Sequence, residues 1–334
     1  MDENKQLISN KQLIISSSPH ILSHKTISRI MWSVVIALIP AMIGSVYFFG
    51  FRTLLVIGLS IASAISFEVL SQLMWHRKIT ILDGSAIITG ILLAYNLPPG
   101  IPLWIAVIGS AFAIIIVKQI FGGLGHNFVN PALAARAFLM VSWPQLMTTH
   151  WLAPKFGYLA GFDAITQATP LTLAKNYPIQ TVFQQLNSWS VIKNLIIGTR
   201  GGCIGETSII LLLIGAIYLL IRRYIAYRIP LAYIGTVLVL SAIFFFTGLS
   251  PVTPLFQIFS GGLILGAFFM ATDYVTSPMS GKGQWLFGIG CGIITILIRI
   301  WGGYPEGVSY AILLMNVATP LIDRYTRPKV FGEV

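Results

Sequence analysis

The sequence predicts an all-α polytopic membrane protein: ten transmembrane helices, arranged as two inverted five-helix repeats with short broken helices at matching places. Three observations carry this. Of 334 residues, 56% are hydrophobic and only 9% charged, with mean hydropathy +0.83, a make-up that excludes an ordinary soluble domain. The apolar residues gather into ten segments, read as 27–49, 53–75, 84–97, 101–121, 128–143, 206–222, 229–249, 256–273, 284–301 and 307–323. A helix needs about 20 residues to cross about 30 Å of hydrocarbon, and the third, fifth and eighth segments fall short or barely reach. They are rich in small residues or interrupted, as at Asn96-Leu97-Pro98-Pro99 and Asn127-Phe128-Val129-Asn130-Pro131.

Residues 1–26 are polar, basic and Ser-rich and read as a cytoplasmic tail without a signal-peptide cleavage pattern, so the first apolar segment is a true span. Residues 27–143 form the first five-helix repeat, 144–205 a polar loop, 206–323 the second repeat and 324–334 a second tail. The third segment of each set is short, Gly84 to Leu97 and Gly261 to Asp273, and a Gly-Gly pair precedes each fifth segment, Gly122-Gly123 and Gly302-Gly303. Because five is odd, the second set runs with opposite topology. Short interrupted segments at matching places in inverted halves point to a site near the midplane, where broken helix ends face a ligand or ion. With the N-terminus in the cytoplasm, 14 of the 21 Lys and Arg fall on that side, among them Arg77, Lys78, Lys118, Arg222, Arg223 and Lys282. The positive-inside rule therefore puts both termini in the cytoplasm and residues 144–205 outside. The net charge of +11 is thus a topology signal, not a nucleic-acid surface.

Two distant cysteines, Cys203 and Cys291, build neither a disulfide framework nor an all-Cys metal site. The five histidines lie at or outside span ends, unsuited to clamping a haem within the bilayer. No metal site is assigned, so redox chemistry here needs an organic cofactor or a neighbour's metal. Ionisable residues within spans are expensive in lipid and are functional candidates by default. Glu68, Arg136 and Asp273 qualify. Glu68 and Arg136 have opposite charges suited to pairing, and Glu68 is equally a candidate for an ion path. Asn127 and Asn130 flank the fifth span, where their amides line a polar cavity or cap and turn the chain; these five residues form the candidate ion path. Asp83 and Glu206 precede helices and read as caps. Trp75, Trp104, Trp143 and Trp301 lie near span ends, as an interfacial belt requires.

The long polar loop contains Asp163-Ala164-Ile165-Thr166-Gln167-Ala168-Thr169-Pro170. A residue before proline is driven into an extended conformation, which presents the Thr169 oxygen openly, while Asp163 is placed to cap the turn or position a metal-bound donor. The segment matches the flavin-attachment pattern Asp-x-x-(Ser/Thr)-(Gly or similar)-Ala-Thr, whose last threonine holds FMN through a phosphoester. Asp163, Thr166, Ala168 and Thr169 fill the pattern, and Gln167 departs from its usual small residue. Lys155, Lys175, Lys193 and Arg200 in the same loop are available to offset a flavin phosphate.

Several blocks in order carry a resemblance over nearly the whole chain: Asp83-Gly84-Ser85-Ala86 with Asn96-Leu97-Pro98-Pro99, Gly122-Gly123-Leu124-Gly125-His126-Asn127 with Asn130-Pro131-Ala132, the segment ending at Thr169, Gly205-Glu206-Thr207-Ser208, Ala271-Thr272-Asp273 with Ser277-Pro278, and Gly302-Gly303-Tyr304-Pro305-Glu306-Gly307-Val308. The chain resembles the family of membrane proteins that includes the D subunit of Rnf ion-translocating oxidoreductase complexes and the B subunit of sodium-pumping NADH:quinone reductases. The short N-terminal tail favours the Rnf branch. The resemblance implies FMN on Thr169, installed by a flavin transferase on the periplasmic face of a bacterial inner membrane, and a second, non-covalent flavin such as riboflavin. It also implies the A, B, C, E and G subunits as partners, and electron transfer between ferredoxin and NAD coupled to export of Na⁺ or H⁺. Competing readings are the quinone-reductase B subunit, a small-solute channel or transporter of inverted-repeat fold, and a scaffold without cofactor.

Overall fold

The computed structural model describes residues 26–152, 154, 169–176, 186–206 and 208–327, and among these it is helical with no β-strand. Each of the ten apolar segments carries helix. In the first half these are α1 (Ile27–Phe49), α2 (Phe51–Met74), α3 (Ser85–Tyr95), α4 (Leu103–Ala111, continuing as the π-helix Phe112–Gln119) and α5 (Pro131–Ser142). Three short helices follow in the polar region, α6 (Pro144–Thr149), α7 (Pro170–Asn176) and α8 (Trp189–Ile197). The second half comprises α9 (Ile209–Ile221), α10 (Arg228–Phe246), the broken pieces α11 (Pro254–Phe259) and α12 (Leu263–Leu265, continuing as the π-helix Gly266–Met270), α13 (Gly281–Trp301) and α14 (Val308–Tyr325). By length and composition α1, α2, α10 and α13 are able to cross a membrane; α3, α4, α5 and α9 are apolar but shorter.

The boundaries follow from local chemistry. Thr26 caps α1 by accepting from Arg29 N at 3.3 Å. Gly50, at φ +83°, is the single residue between α1 and α2, a left-handed position that glycine adopts without a Cβ penalty. Asp83 caps α3 as expected, accepting from Ser85 N at 2.8 Å and Ser85 Oγ at 2.7 Å. That helix stops at Asn96 because Pro98 and Pro99 remove donors and disfavour helical φ/ψ before them. The eighth apolar segment breaks at Ser260-Gly261-Gly262, between α11 and α12.

Small residues bring the helices close, as apolar interfaces in lipid require. A Cβ on Gly215 of α9 would lie 1.9 Å from the Ala37 carbonyl of α1, and one on Gly90 of α3 would lie 2.8 Å from the Ile61 backbone of α2. Gly288 and Gly292 of α13 meet Ala232 and Thr236 of α10 in the same way. Tyr95 at the end of α3 is fully buried and donates to the Leu38 carbonyl at 2.7 Å.

Hydrogen bonds sort the connections onto two ends of the bundle. At one end Ser28 and Trp32 bind the Leu82 carbonyl, Arg77 binds the Gln119 carbonyl, and Ser280 bonds Thr326. At the other, Arg52 binds the Gly100 carbonyl, Ile204 N reaches the Leu97 carbonyl, and Lys175 reaches the Gly302 carbonyl. Arg77, Lys78, Arg222, Arg223 and Arg324 all belong to the first, basic end and are exposed there. Lys118 is the exception. Its place in the sequence puts it among the cytoplasmic topology charges, yet it is buried, 2% exposed.

Gly215→Leu forces α1 and α9 apart, and overpacking of this kind costs about 1–3 kcal/mol. A fall in detergent melting temperature is expected for that variant and none for Gly235→Ala, whose added Cβ meets nothing within 4 Å.

Candidate functional site

At the end of the bundle that carries α6 to α8, one guanidinium gathers several elements. Arg136 of α5, 4% exposed, donates through Nη1 to Asn96 Oδ1 at 2.8 Å and through Nη2 to the Glu306 carboxylate and to Cys203 Sγ, the last at 3.6 Å. A second buried guanidinium, Arg299 of α13, donates from Nε to the Glu306 carbonyl at 3.0 Å, from Nη2 to the Ser260 carbonyl at 3.1 Å, and from Nη1 to the backbone and side-chain oxygens of Gln257. Asn96 ends α3 and Ser260 ends α11. Each broken segment therefore finishes on an arginine: Arg299 meets backbone carbonyls at the end of α11, where partial negative charge concentrates, and Arg136 holds the Asn96 side-chain oxygen at the end of α3.

Glu206 joins this cluster. It sits in the short 3₁₀ turn Ile204–Glu206, its carboxylate beside that of Glu306 and the Cys203 thiol, with Oε1 buried and without a hydrogen-bond partner among the described residues. Ligand atoms of Cys203, Glu206 and Glu306 lie within 4.8 Å of one another, with the Arg136 guanidinium supplying the positive charge beside them. Gly202 and Gly262 flank the carboxylate so closely that a Cβ on either would come within 3.1–3.2 Å of its oxygens. The expectation that Glu206 caps the following helix is corrected: the N-cap position of α9 is Ser208, while the acid turns inward to the second carboxylate. Burial, followed by the Glu206 charge, pushes the Cys203 thiol well above its ordinary value, so it is a neutral thiol near pH 7.

Thr169 lies beside this cluster. It caps α7, its Oγ1 accepting from Thr172 N at 3.3 Å and sharing a 2.7 Å hydrogen bond with Thr172 Oγ1. It is 9% exposed, which corrects the expectation of an openly presented hydroxyl: the proline after it starts a helix, and the cap draws the oxygen in. Thr169 lines two cavities. One, of about 20 Å³, is polar, with Asn194, Gly198, Arg200, Gly201 and Glu206 in its wall. The other, of about 130 Å³, is lined by Met140, Trp151, Tyr304 and Tyr310 and reaches Arg136. Tyr304 and Tyr310 are stacked there, ring centroids 5.2 Å apart at 24°. Burial lowers the Arg200 guanidinium and the Lys175 ammonium below their ordinary values. Lys175 is engaged by the carbonyls of Gly302 and Tyr304, Lys193 is exposed on α8, and among the described basic residues of the loop only Arg200 faces the polar cavity beside Thr169. Lys155, Asp163, Thr166, Gln167 and Ala168 lie outside the described residues.

The basic end holds a second polar cluster. Glu68 of α2 pairs with Lys118 at 2.7 Å, and the same Oε1 accepts from Gln119 Nε2 at 3.1 Å and Gln72 Nε2 at 3.4 Å. The expected pairing of Glu68 with Arg136 is thereby corrected, since each meets a different partner at its own end of the bundle. Asn127, Asn130 and Asp273 share a cavity of about 90 Å³ with Lys118 and Ser85. Asn130 also caps α5, accepting from Ala132 N at 3.1 Å and Leu133 N at 3.3 Å, so both roles foreseen for the asparagines apply to it. Asp273 accepts from Val275 N and Thr276 Oγ1.

The family model described as NQR2, RnfD, RnfE matches residues 14–332. This chain belongs to the NQR2, RnfD, RnfE family. It is similar to the D subunit of the Na⁺-translocating ferredoxin:NAD⁺ oxidoreductase complex of Acetobacterium woodii, 47% identical over 96% of this chain and 95% of that protein. It is 48% identical to the D subunit of the proton-translocating ferredoxin:NAD⁺ oxidoreductase complex of Clostridium ljungdahlii, over 95% of this chain and 96% of that one. The D subunit of an ion-translocating oxidoreductase complex from Stutzerimonas stutzeri is 40% identical over 92% of this chain and 93% of that protein. Identity alone does not separate the sodium-named from the proton-named relative. Family membership and the apolar helices together make the chain a multi-pass membrane protein.

Three functional candidates of this NQR2, RnfD, RnfE member are missing from the sequence reading. Lys118 and Arg299 lie inside apolar segments, where the rule that selects Glu68 applies equally. Position near a span end makes Lys118 look like a loop charge. Glu306 stands just before a span and gives no such signal; only the fold shows it meeting Arg136.

Removing one partner of a buried pair leaves an uncompensated charge, at a cost of about 3–5 kcal/mol. Glu306→Gln is therefore expected to lower the detergent melting temperature sharply, and the double variant Arg136→Met with Glu306→Gln to regain part of it; equal melting of Glu306→Gln and wild type contradicts the pairing.

Proposed function

We propose that this chain is the membrane component through which an Rnf-type ferredoxin:NAD⁺ oxidoreductase relays electrons by way of FMN esterified to Thr169, with export of Na⁺ or H⁺ coupled to that relay. The observation that carries the reading is the position of the Thr169 oxygen, at the junction of a small polar cavity and a larger aromatic one. Arg200 and the glycine-rich backbone of the polar cavity suit a phosphate's charge and close approach. Trp151, Tyr304 and Tyr310 suit a flat ring. A bound flavin supplies one-electron exchange, while the protein's share is tethering, orientation and local electrostatics.

We further read the ten helical segments as ten spans in two inverted repeats. In support, α1 packs on α9 and α5 on α14 across the halves, while the second helix of each half packs on its third and fourth, α2 on α3 and α4, α10 on α11 and α13. The exposed arginines of one end favour that end as cytoplasmic, with Thr169 on the periplasmic side of a bacterial inner membrane. The A, B, C, E and G subunits complete the assembly, and a flavin transferase installs the FMN during maturation.

In protein made with its transferase, a fluorescent band surviving denaturing electrophoresis is expected for wild type, absent in Thr169→Ala, and regained in part in Thr169→Ser. A wild-type band without fluorescence overturns the reading. In vesicles, Glu68→Gln is expected to lower ion transport severalfold while leaving covalent flavin unchanged; equal transport removes Glu68 from the path.

A further inference from the structure

The buried pair at the basic end is built unlike a structural staple. Glu68 and Lys118 are 1% and 2% exposed, and three donors crowd one carboxylate oxygen, Oε1, while the other, Oε2, is buried with no hydrogen-bond partner among the described residues. A buried oxygen left unpaired costs free energy that a pair selected for stability alone would recover. Lys118 and Gln119 converge on the same carboxylate from the end of the π-helix Phe112–Gln119, although neighbours on a regular helix do not share a face. Such widened turns cluster at functional sites.

The surroundings of the Lys118 ammonium are those of a cation site. Nζ lies 2.7 Å from Glu68 Oε1 and 2.6 Å from Ser85 Oγ. Ser85 gives its proton to Asp83 and so offers Nζ a lone pair. With Glu68 Oε1 and Ser85 Oγ, the unpaired Glu68 Oε2 brings the oxygens to three, and hard cations take oxygen ligands of this kind. Lys118 also lines the cavity of about 90 Å³ together with Asp273, so a long flexible stem has both a place to go and a carboxylate across the space.

We propose that Lys118 is a tethered cation that competes with the transported monovalent ion for Glu68, leaving the carboxylate for the cavity when the ion arrives. This rests on the ion-pump reading above. The exchange is neutral at Glu68: one positive charge leaves as one enters, the ion pair to Glu68 and the hydrogen bond to Ser85 Oγ are given up to the incoming ion, and no covalent bond changes. The other charged or titratable groups around the pair are Asp83 behind Ser85, Arg77 on the Gln119 carbonyl, and Asp273, Tyr224 and Tyr274 around the cavity. A lysine serving only as a staple would stabilise the fold without setting ion affinity.

The test uses the whole complex in vesicles and, after solubilisation, sodium NMR. A unit charge beside a carboxylate shifts its affinity for a proton by about 1–3 pKa units. If sodium is the coupling ion, Lys118→Gln is expected to lower the half-saturating sodium concentration by about ten- to thousandfold, by the same electrostatic reasoning. If protons are, removing the competing cation lets transport persist at proton concentrations about ten- to thousandfold lower than in wild type. Lys118→Arg keeps the charge and stays near wild type, and Lys118→Gln with Glu68→Gln loses the site. Sodium NMR reads binding even where Lys118→Gln turns over slowly. Wild-type sodium affinity and pH profile in Lys118→Gln, with a pumping wild type, overturn this proposal alone. A flavin-bearing wild type that moves neither ion overturns the pump reading and this proposal together.

Discussion

The contact between Arg136 and Glu306 ties together the parts of this fold that a lipid environment would otherwise leave unsatisfied. Inside hydrocarbon every backbone carbonyl and every charge must find its partner within the protein. A fold that breaks helices in its interior therefore creates unmet polar groups of its own. Arg136 answers one such break, holding Asn96 at the end of α3, and Arg299 answers the other at the end of α11. Glu306 joins the two, its carboxylate on the first guanidinium and its carbonyl on the second. The loop before α14, the end of α3 and the start of the second half are thereby fixed as one unit, and Thr169 is set against it.

The two polar clusters lie at opposite ends of the bundle and differ in character. The Arg136 cluster makes many bonds to backbone and side chain, and its acids are compensated by two guanidiniums. The Glu68 cluster is smaller, with a single ammonium on its carboxylate and a cavity beside that ammonium; each cluster leaves one carboxylate oxygen without a hydrogen-bond partner among the described residues, Glu206 Oε1 and Glu68 Oε2. Dense bonding suits a rigid seat for a tethered group, because positioning depends on supporting side chains that do not move. A sparse pair beside a cavity suits exchange. Rigidity at one end and latitude at the other is the division a coupled relay requires.

Much of this is legible in the sequence. The ten apolar segments carry helix, and the Asp83 and Asn130 caps follow from residue type and position. The breaks at Asn96-Pro98 and at Gly261-Gly262 follow from backbone chemistry. What escapes is what tertiary contact decides. Glu68 and Arg136 are both singled out by the cost of charge in lipid, but that cost says only that a partner exists, not which one. Lys118 and Glu206 each suggest a local role, a topology charge and a cap, and each has a distant partner instead. The proline after Thr169 suggests an open hydroxyl; the same proline starts α7, and the hydroxyl is drawn into the cap.

The central claim is the covalent occupation of one hydroxyl, and the mass of the peptide spanning Thr169, from protein isolated out of native membranes, tests it most directly. The expected result is a peptide heavier by FMN less one water, with fragment ions locating the addition on Thr169. An unmodified peptide, from cells whose transferase labels other proteins, contradicts it.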